Sequence, residues 1–265
     1  MSSELYKRIN YTQDIGLLKN KNIYEYDIVK ANISVLLNRG QISSSLYDFL
    51  FKQPNLTRQI FVGNMERKNR QLIKEKAQGI EDAKRYLFES NNIQDYEILS
   101  IKNDAVFVTR ELKYLEYNNA KFTLRNRYSL FVRVMRLQLF YLLDRIGDNE
   151  VLHIKGIKDS ILESHKDYML DFVKELFFTF ETEGVEETLV LLRTFYYNYM
   201  NRKLPVGYYK DLYSGKYPLI TNSLVFSYSS TAPSDDILPI IDIVNNGVFL
   251  RELSKVFYVE YLRTK

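Results

Sequence analysis

The sequence predicts an α+β fold, and three observations predict it. Short runs of β-branched and aromatic residues recur between residues 22 and 155, bounded by Asn, Asp and Gly. A long stretch with apolar residues at helical spacing interrupts them at 64–90. From about residue 158 the helical pattern takes over.

The elements follow in order. Asn22 to Ile28 reads as a strand, because Ile and Tyr dominate it. Ala31 to Leu37 is helical and Gly40 stops it; Ser43 to Phe51 is a second short helix, ended by Pro54. Asn64 to Ser90 carries Leu72, Ile73, Ala77, Ile80, Ala83 and Leu87 at helical spacing, with Gly79 placed to weaken or kink the helix. Glu97 to Lys102 and Ala105 to Arg110 flank Asn103-Asp104, a dipeptide suited to a tight hairpin turn. Lys121 to Leu124 reads as a strand, Tyr128 to Leu143 as strand or helix, and Val151 to Lys155 as a short strand. Helical character then runs to about Met200, where Pro205 and Gly207 break it. Pro218 to Ser229 is irregular, and a last helix covers Asp235 to Leu262.

Composition bounds the function classes. The 265 residues suffice for one large domain or two small ones, and abundant Tyr and Phe with few Gly and Pro mark a globular chain. With no repeat and no flexible linker, one continuous compact unit is expected. Without Cys there are no disulfides, thiolate zinc sites or cysteine nucleophiles, and two histidines, His153 and His165, give little material for a histidine-centred metal site or a Ser-His-Asp hydrolase. Both histidines are read as structural. The start lacks the apolar stretch of a signal peptide, and later apolar runs are interrupted by Arg133, Arg136 and Arg193, so no membrane partner and a cytoplasmic location are expected. The net charge of +4 is modest, but 52–85 and 121–145 are distinctly basic, while 166–187 leans acidic. Such sidedness suits a polyanion, although solvated lysines on a mildly basic protein give the same pattern.

Two aspartates carry the chemistry. Asp27 closes the run Ile23-Tyr24-Glu25-Tyr26, and Asp104 sits at the hairpin tip after Ile98-Leu99-Ser100-Ile101-Lys102-Asn103. Either one alone is as well read as a turn residue or a helix cap. Together, on neighbouring antiparallel strands with carboxyls within about 8 Å, they could hold two divalent ions roughly 4 Å apart, the arrangement that clamps both oxygens of an in-line phosphoryl transfer. If they lie far apart, the chain is a structural protein of another kind.

With both aspartates placed, four short motifs in the order of the chain resemble the palm and thumb of family B DNA polymerases. Asp27-Ile28-Val29-Lys30-Ala31-Asn32-Ile33-Ser34 is similar to motif A, DxxSLYPS, at the metal-binding Asp and the last Ser. Lys102-Asn103-Asp104-Ala105-Val106-Phe107-Val108 is similar to motif C, DTDSxxx, at the second Asp. Arg125-Asn126-Arg127-Tyr128 resembles the KKRY element that approaches the primer strand, and Lys155-Gly156-Ile157 the KG element that leads into the thumb. The resemblance covers residues 22 to 160 by motif and the rest by helical character alone. It implies a palm at 1–157 with an antiparallel sheet and short helical fingers inserted at about 40–92, and a helical thumb-like region at 158–265.

The resemblance also implies catalytic and metal-binding roles for Asp27 and Asp104, with two Mg²⁺ ions, or Mn²⁺, as cofactors. Its implied partners are a primed DNA or RNA template, nucleoside triphosphates and a second replication protein, in the host cytoplasm if the chain is phage-encoded. Arg125, Arg127, Tyr128 and Lys155 would contact nucleic acid. Departures matter too. Lys102 stands where motif C has its first Asp, and Asn32 where motif A has the Tyr that excludes a ribose 2′-hydroxyl, so ribonucleotides are expected to be tolerated. The fingers motif KxxxNSxYG is not recognisable; Arg58, Arg67 and Lys68, around a Gly before a helix, are the candidates for a triphosphate grip, against the plainer reading of a solvated helix start. No exonuclease region is expected before Asp27, because a short polar leader precedes it in the sequence. The roles left open are a small template-directed nucleotidyltransferase, one part of a split polymerase, and a non-catalytic nucleic-acid-binding subunit.

Overall fold

A computed structural model describes residues 4–144, 149–157, 159–209 and 240–265. The chain is α+β with an antiparallel sheet. It divides into two compact units: Met1–Asp14 with Lys21–Arg127, and Ile15–Asn20 with Tyr128–Lys265. That division differs from the single unit composition predicts and from the boundary at 157 the resemblance implies. It cannot be read from linkers, because it falls inside two continuous strands.

In the first unit, β1 (Asn10–Thr12), β2 (Leu17–Ile28, from Lys21), β3 (Ile98–Lys102), β4 (Ala105–Val108), β5 (Glu116–Tyr117) and the first half of β6 (Ala120–Val134) surround the aspartates. The strand order is β1-β3-β4-β2-β6, with β5 on β6. The pairings of β1 with β3, β3 with β4, β2 with β4 and β5 with β6 are antiparallel. Alternation along β2 sends Tyr24, Tyr26 and Ile28 into a core with Ile98, Ile101, Val106, Val108 and Phe122, and so turns Glu25 and Asp27 to the other face. Glu25 is nevertheless buried, and its carboxylate accepts a 2.7 Å hydrogen bond from Asn126.

Four helices complete this unit: α1 (Ala31–Asn38), α2 (Ser44–Phe51), α3 (Asn55–Lys68) and α4 (Gln71–Ser90). The Ser43 hydroxyl caps α2 by accepting from the Leu46 N–H at 3.3 Å. The one helix expected at 64–90 is two, parted at Asn69 and Arg70. Asn69 takes an extended backbone, φ −136° and ψ 96°, and its side chain accepts from the Gln71 N–H. Helix α3 therefore begins nine residues before the sequence pattern announces it, because its apolar residues have no helical face: only Val62 is buried, while Leu56, Ile60 and Phe61 stay exposed. Gly79 does not kink α4. It is the close-approach point of α4 on α1, where a Cβ would come within 2.8 Å of Val35 Cβ.

The second unit contains the rest of β6, then β7 (Leu137–Asp144) and β8 (Asn149–Lys155), paired antiparallel in that order. The ambiguous stretch from Tyr128 is thus all strand, turned at Met135, whose φ of 54° closes the β6–β7 hairpin. Helices α5 (Asp159–Ser164), α6 (Met169–Thr182), α7 (Val185–Met200) and α8 (Ile240–Thr264) follow. Leu130, Val132, Leu139 and Tyr141 of the strands share a core with Phe172, Leu176 and Phe177 of α6 and with Phe249, Leu253 and Phe257 of α8. The expectations at Lys158, at Pro218 to Ser229 and at 235–239 lie outside the described residues. Among the described residues, no helix is long and apolar enough to cross a membrane.

Candidate functional site

Asp27 stands one residue from the end of β2, and Asp104 at the turn joining β3 to β4. Asn103 supplies the left-handed residue of that turn, φ 56°, which Asn accepts more readily than most side chains. Because Tyr26 pairs with Val106, continuing the register sets Asp27 across from Ala105, beside Asp104. The turn is braced from behind. The Asn103 N–H donates to the Ile9 carbonyl at 2.8 Å, and the buried Lys84 donates to the Arg8 carbonyl at 2.6 Å.

The two carboxyl groups meet. Burial, then a hydrogen bond with Asp27, then the charge of Asp27 push the Asp104 carboxyl up to about 7, against a smaller lowering by Lys84. At neutral pH Asp104 therefore keeps its proton for much of the time, because its ionised form is opposed by burial and by the neighbouring carboxylate. The buried Lys84 ammonium is itself pushed down to about 8, by desolvation above all. On its open side Asp27 accepts an ion pair from Arg125 at 3.2 Å.

A cleft of about 630 Å³ opens on the pair, lined by Asp27, Asp104, Asn32, Arg58, Lys30 and Arg125 among others. Asn32 lies in the first turn of α1. Arg58 reaches the cleft from the first turns of α3, with its guanidinium donating to the Gln53 carbonyl at 2.6 Å and to Asn55 Oδ1 at 3.1 Å. Arg67 and Lys68 lie at the other end of α3, exposed, and are not among the lining residues. Of the three cations expected to grip a triphosphate, only Arg58 lines the cleft: a 14-residue helix separates its ends too far for both to face one pocket. Arg127 is exposed, 3.5 Å from Glu111 and 5.4 Å from the Tyr24 ring, and does not line the cleft.

Tyr128 and Lys155 belong to the second unit. Tyr128 is fully buried against Phe140 and its hydroxyl lies 2.7 Å from His153 Nδ1, so its ring has no surface to offer a nucleic-acid strand in this conformation. Lys155, at the end of β8, pairs with Gln138 and precedes Gly156. That glycine, at φ 105° with the Arg136 carbonyl 3.0 Å from where a Cβ would stand, is required by the backbone rather than by a ligand. The two histidines are structural: His153 holds Tyr128, and His165 is buried with Nδ1 at 2.7 Å from the Ile161 carbonyl.

Two residues that the sequence does not single out shape the site: Lys30, which lines the cleft, and Lys84, which braces the Asp104 turn from behind. Lys30 was in view only as a letter of a motif, and nothing in its neighbours announces that it takes the left-handed conformation, φ 50° and ψ 45°. Lys84 is one of many basic residues on a helix, and only its burial singles it out. Among the described residues no group of three or more Asp, Glu or His side chains converges. A pair is still a fitting donor set for magnesium, which is commonly bound through one or two carboxylates with substrate phosphates and water completing its shell. Burial and the charge of Asp27 disfavour the ionised form of Asp104, so a cation beside it would be favoured electrostatically.

A comparison with curated proteins finds no match. A family model described as Bacteriophage PBS1 gene 130 protein matches residues 1–258. With the match spanning nearly the whole chain, the protein belongs to the Bacteriophage PBS1 gene 130 protein family.

Proposed function

We propose that the chain is a template-directed nucleotidyltransferase whose first unit acts as a polymerase-like palm, working in the cytoplasm of the phage-infected host. The observation that carries this reading is the meeting of Asp27 and Asp104 at the floor of a polar cleft, from positions 77 residues apart in sequence. Divalent ions bound there would stabilise the charge that develops on the attacking and leaving oxygens of an in-line phosphoryl transfer. Asp27 and Asp104 would hold such ions, and for that Asp104 would have to release its proton and the Asp27 carboxylate its pairing with Arg125. Arg58, fixed by two neutral acceptors, offers its charge to the phosphates of the incoming nucleotide. Asn32, in the same cleft, can accept or donate a hydrogen bond at the sugar. Arg127 and Lys155 are candidates for backbone contact, which positions a duplex without reading its sequence.

The test is primer extension on DNA and RNA templates in magnesium or manganese, with any partner subunit present. Wild type should extend, and Asp104→Asn should abolish extension while retaining template binding. Equal extension by both proteins would place the activity elsewhere. One observation favours a second reading, a non-catalytic nucleic-acid-binding subunit: the Asp27–Arg125 ion pair and the proton on Asp104 satisfy the carboxyls without a metal. Template binding with no extension from either protein would select it.

A further inference from the structure

The cleft contains a second set of charges facing a different need. Lys30 occupies the junction between β2 and α1, with its backbone in the left-handed region that a lysine rarely adopts. Its ammonium donates to the Phe51 carbonyl and lies 3.4 Å from the centroid of the Phe51 ring. Arg58 likewise holds only neutral oxygens, those of Gln53 and Asn55. Both side chains line the cleft. Among the described residues neither has a carboxylate partner. Burial and the like charge of Arg58 act together to push the Lys30 ammonium below its ordinary range, and no acid offsets them. Arg125, by contrast, is already matched by Asp27.

We infer that Lys30 and Arg58 form an anion subsite for a condensed phosphate chain, with Lys30 parked on Phe51 until the ligand draws it away. The subsite rests on the proposed function for the identity of the phosphate carrier, a nucleoside triphosphate, but not for its own existence. Two cations in one cleft, neither paired with either of its aspartates, repel each other. A phosphate chain removes that repulsion and offers charge-assisted bonds in place of neutral ones. The parking contact has a consequence of its own. Binding competes with the Phe51 ring for the ammonium, so the ring lowers affinity rather than raising it.

The probe is inorganic tripolyphosphate, titrated by calorimetry into the full chain with EDTA present, so that no metal contributes. Lys30→Gln should weaken binding about tenfold or more, the scale of one charged hydrogen bond, and Lys30→Arg should restore most of it. Phe51→Leu should tighten binding about two- to fivefold, the scale of a released cation–ring contact. Lys74→Gln, which removes an exposed charge outside the cleft lining, should change nothing. Wild-type affinity in folded Lys30→Gln, or an equal loss in Lys74→Gln, overturns the subsite. Extension activity with unchanged tripolyphosphate affinity in Lys30→Gln overturns it too, while leaving the polymerase reading intact. Loss of affinity in Lys30→Gln with no extension by wild type keeps the subsite and retires that reading.

Discussion

Replacing Asp104 by Asn should stabilise the protein at pH 8 and leave it unchanged at pH 4. The carboxyl moves from an ordinary 3.8 to about 7 on folding, because burial and the neighbouring Asp27 both oppose its charge. The folded pKa lies above the unfolded one, so between the two values the native chain holds a proton that the unfolded chain has lost. Unfolding free energy therefore falls as pH rises through that window, and the loss is complete above about 7. At about 1.4 kcal/mol per unit the shift corresponds to at most about 4 kcal/mol, and partial exposure with relaxation of the pair brings the working figure to about 2 kcal/mol. For a chain of this size that is roughly 4–8 °C in melting temperature. Thermal melts of wild type and Asp104→Asn at half-unit steps from pH 4 to 8 give the difference curve, in which the titrating groups not coupled to Asp104 cancel and only Asp104 with its neighbours Asp27 and Lys84 remains. Adding a divalent cation at pH 8 should raise the wild type and not the variant, since a ligand that binds only the folded state stabilises it by mass action. Parallel curves, with no gap opening between pH 4 and 7, would refute the placement of Asp104 against Asp27.

Two further outcomes follow from the same geometry. Gly79→Ala should cost about 1–3 kcal/mol in urea denaturation, because its Cβ would stand 2.8 Å from Val35 Cβ and α4 would have to draw back from α1; a neutral result would mean that the two helices part without cost. Asn32→Tyr should depress ribonucleotide use selectively, since an aromatic ring in the cleft builds the clash that a smaller amide lacks, whereas apolar fit alone discriminates a hydroxyl by only about 10²-fold. Matched steady-state efficiencies for ribo- and deoxyribonucleotides measure it, and a deoxyribonucleotide preference unchanged by the substitution would show that position 32 is not beneath the sugar.

The parts of the fold legible in the sequence are those set by local chemistry. The Asn103-Asp104 hairpin could be read because few side chains other than Asn and Gly accept its left-handed turn, and α2 because Ser43 and Pro54 bracket it. Elements fixed by partners distant in sequence were not legible. Helix α3 has almost no buried face to announce it, and its break from α4 at Asn69 and Arg70 uses residues that also occur inside helices. Gly79 looks like a helix breaker in a list of propensities, and becomes a contact surface only once Val35 lies against it. Beside two arginines, Tyr128 reads by resemblance as a nucleic-acid contact, yet in β6 its ring is buried against Phe140 and its hydroxyl meets His153. The division between the two units passes through β2 and β6, where the chain shows no change of composition.

The candidate site divides along the same line. Asp27 and Asp104 each close a strand whose pattern is local, so their approach could be foreseen from the two strands alone. What holds them there could not. Arg8 and Ile9 accept from Lys84 and Asn103, and Arg125 closes on Asp27 from another strand, each across a span that no motif covers. The brace fixes the Asp104 turn against a carboxylate that repels its charge, so the fold holds in place a group that lowers its own stability at neutral pH. An amide at 104 would donate the same hydrogen bond to Asp27 without that cost. A braced carboxyl whose charged form is disfavoured, set in an open polar cleft, has a physical rationale as a site for a cation that the protein itself does not supply.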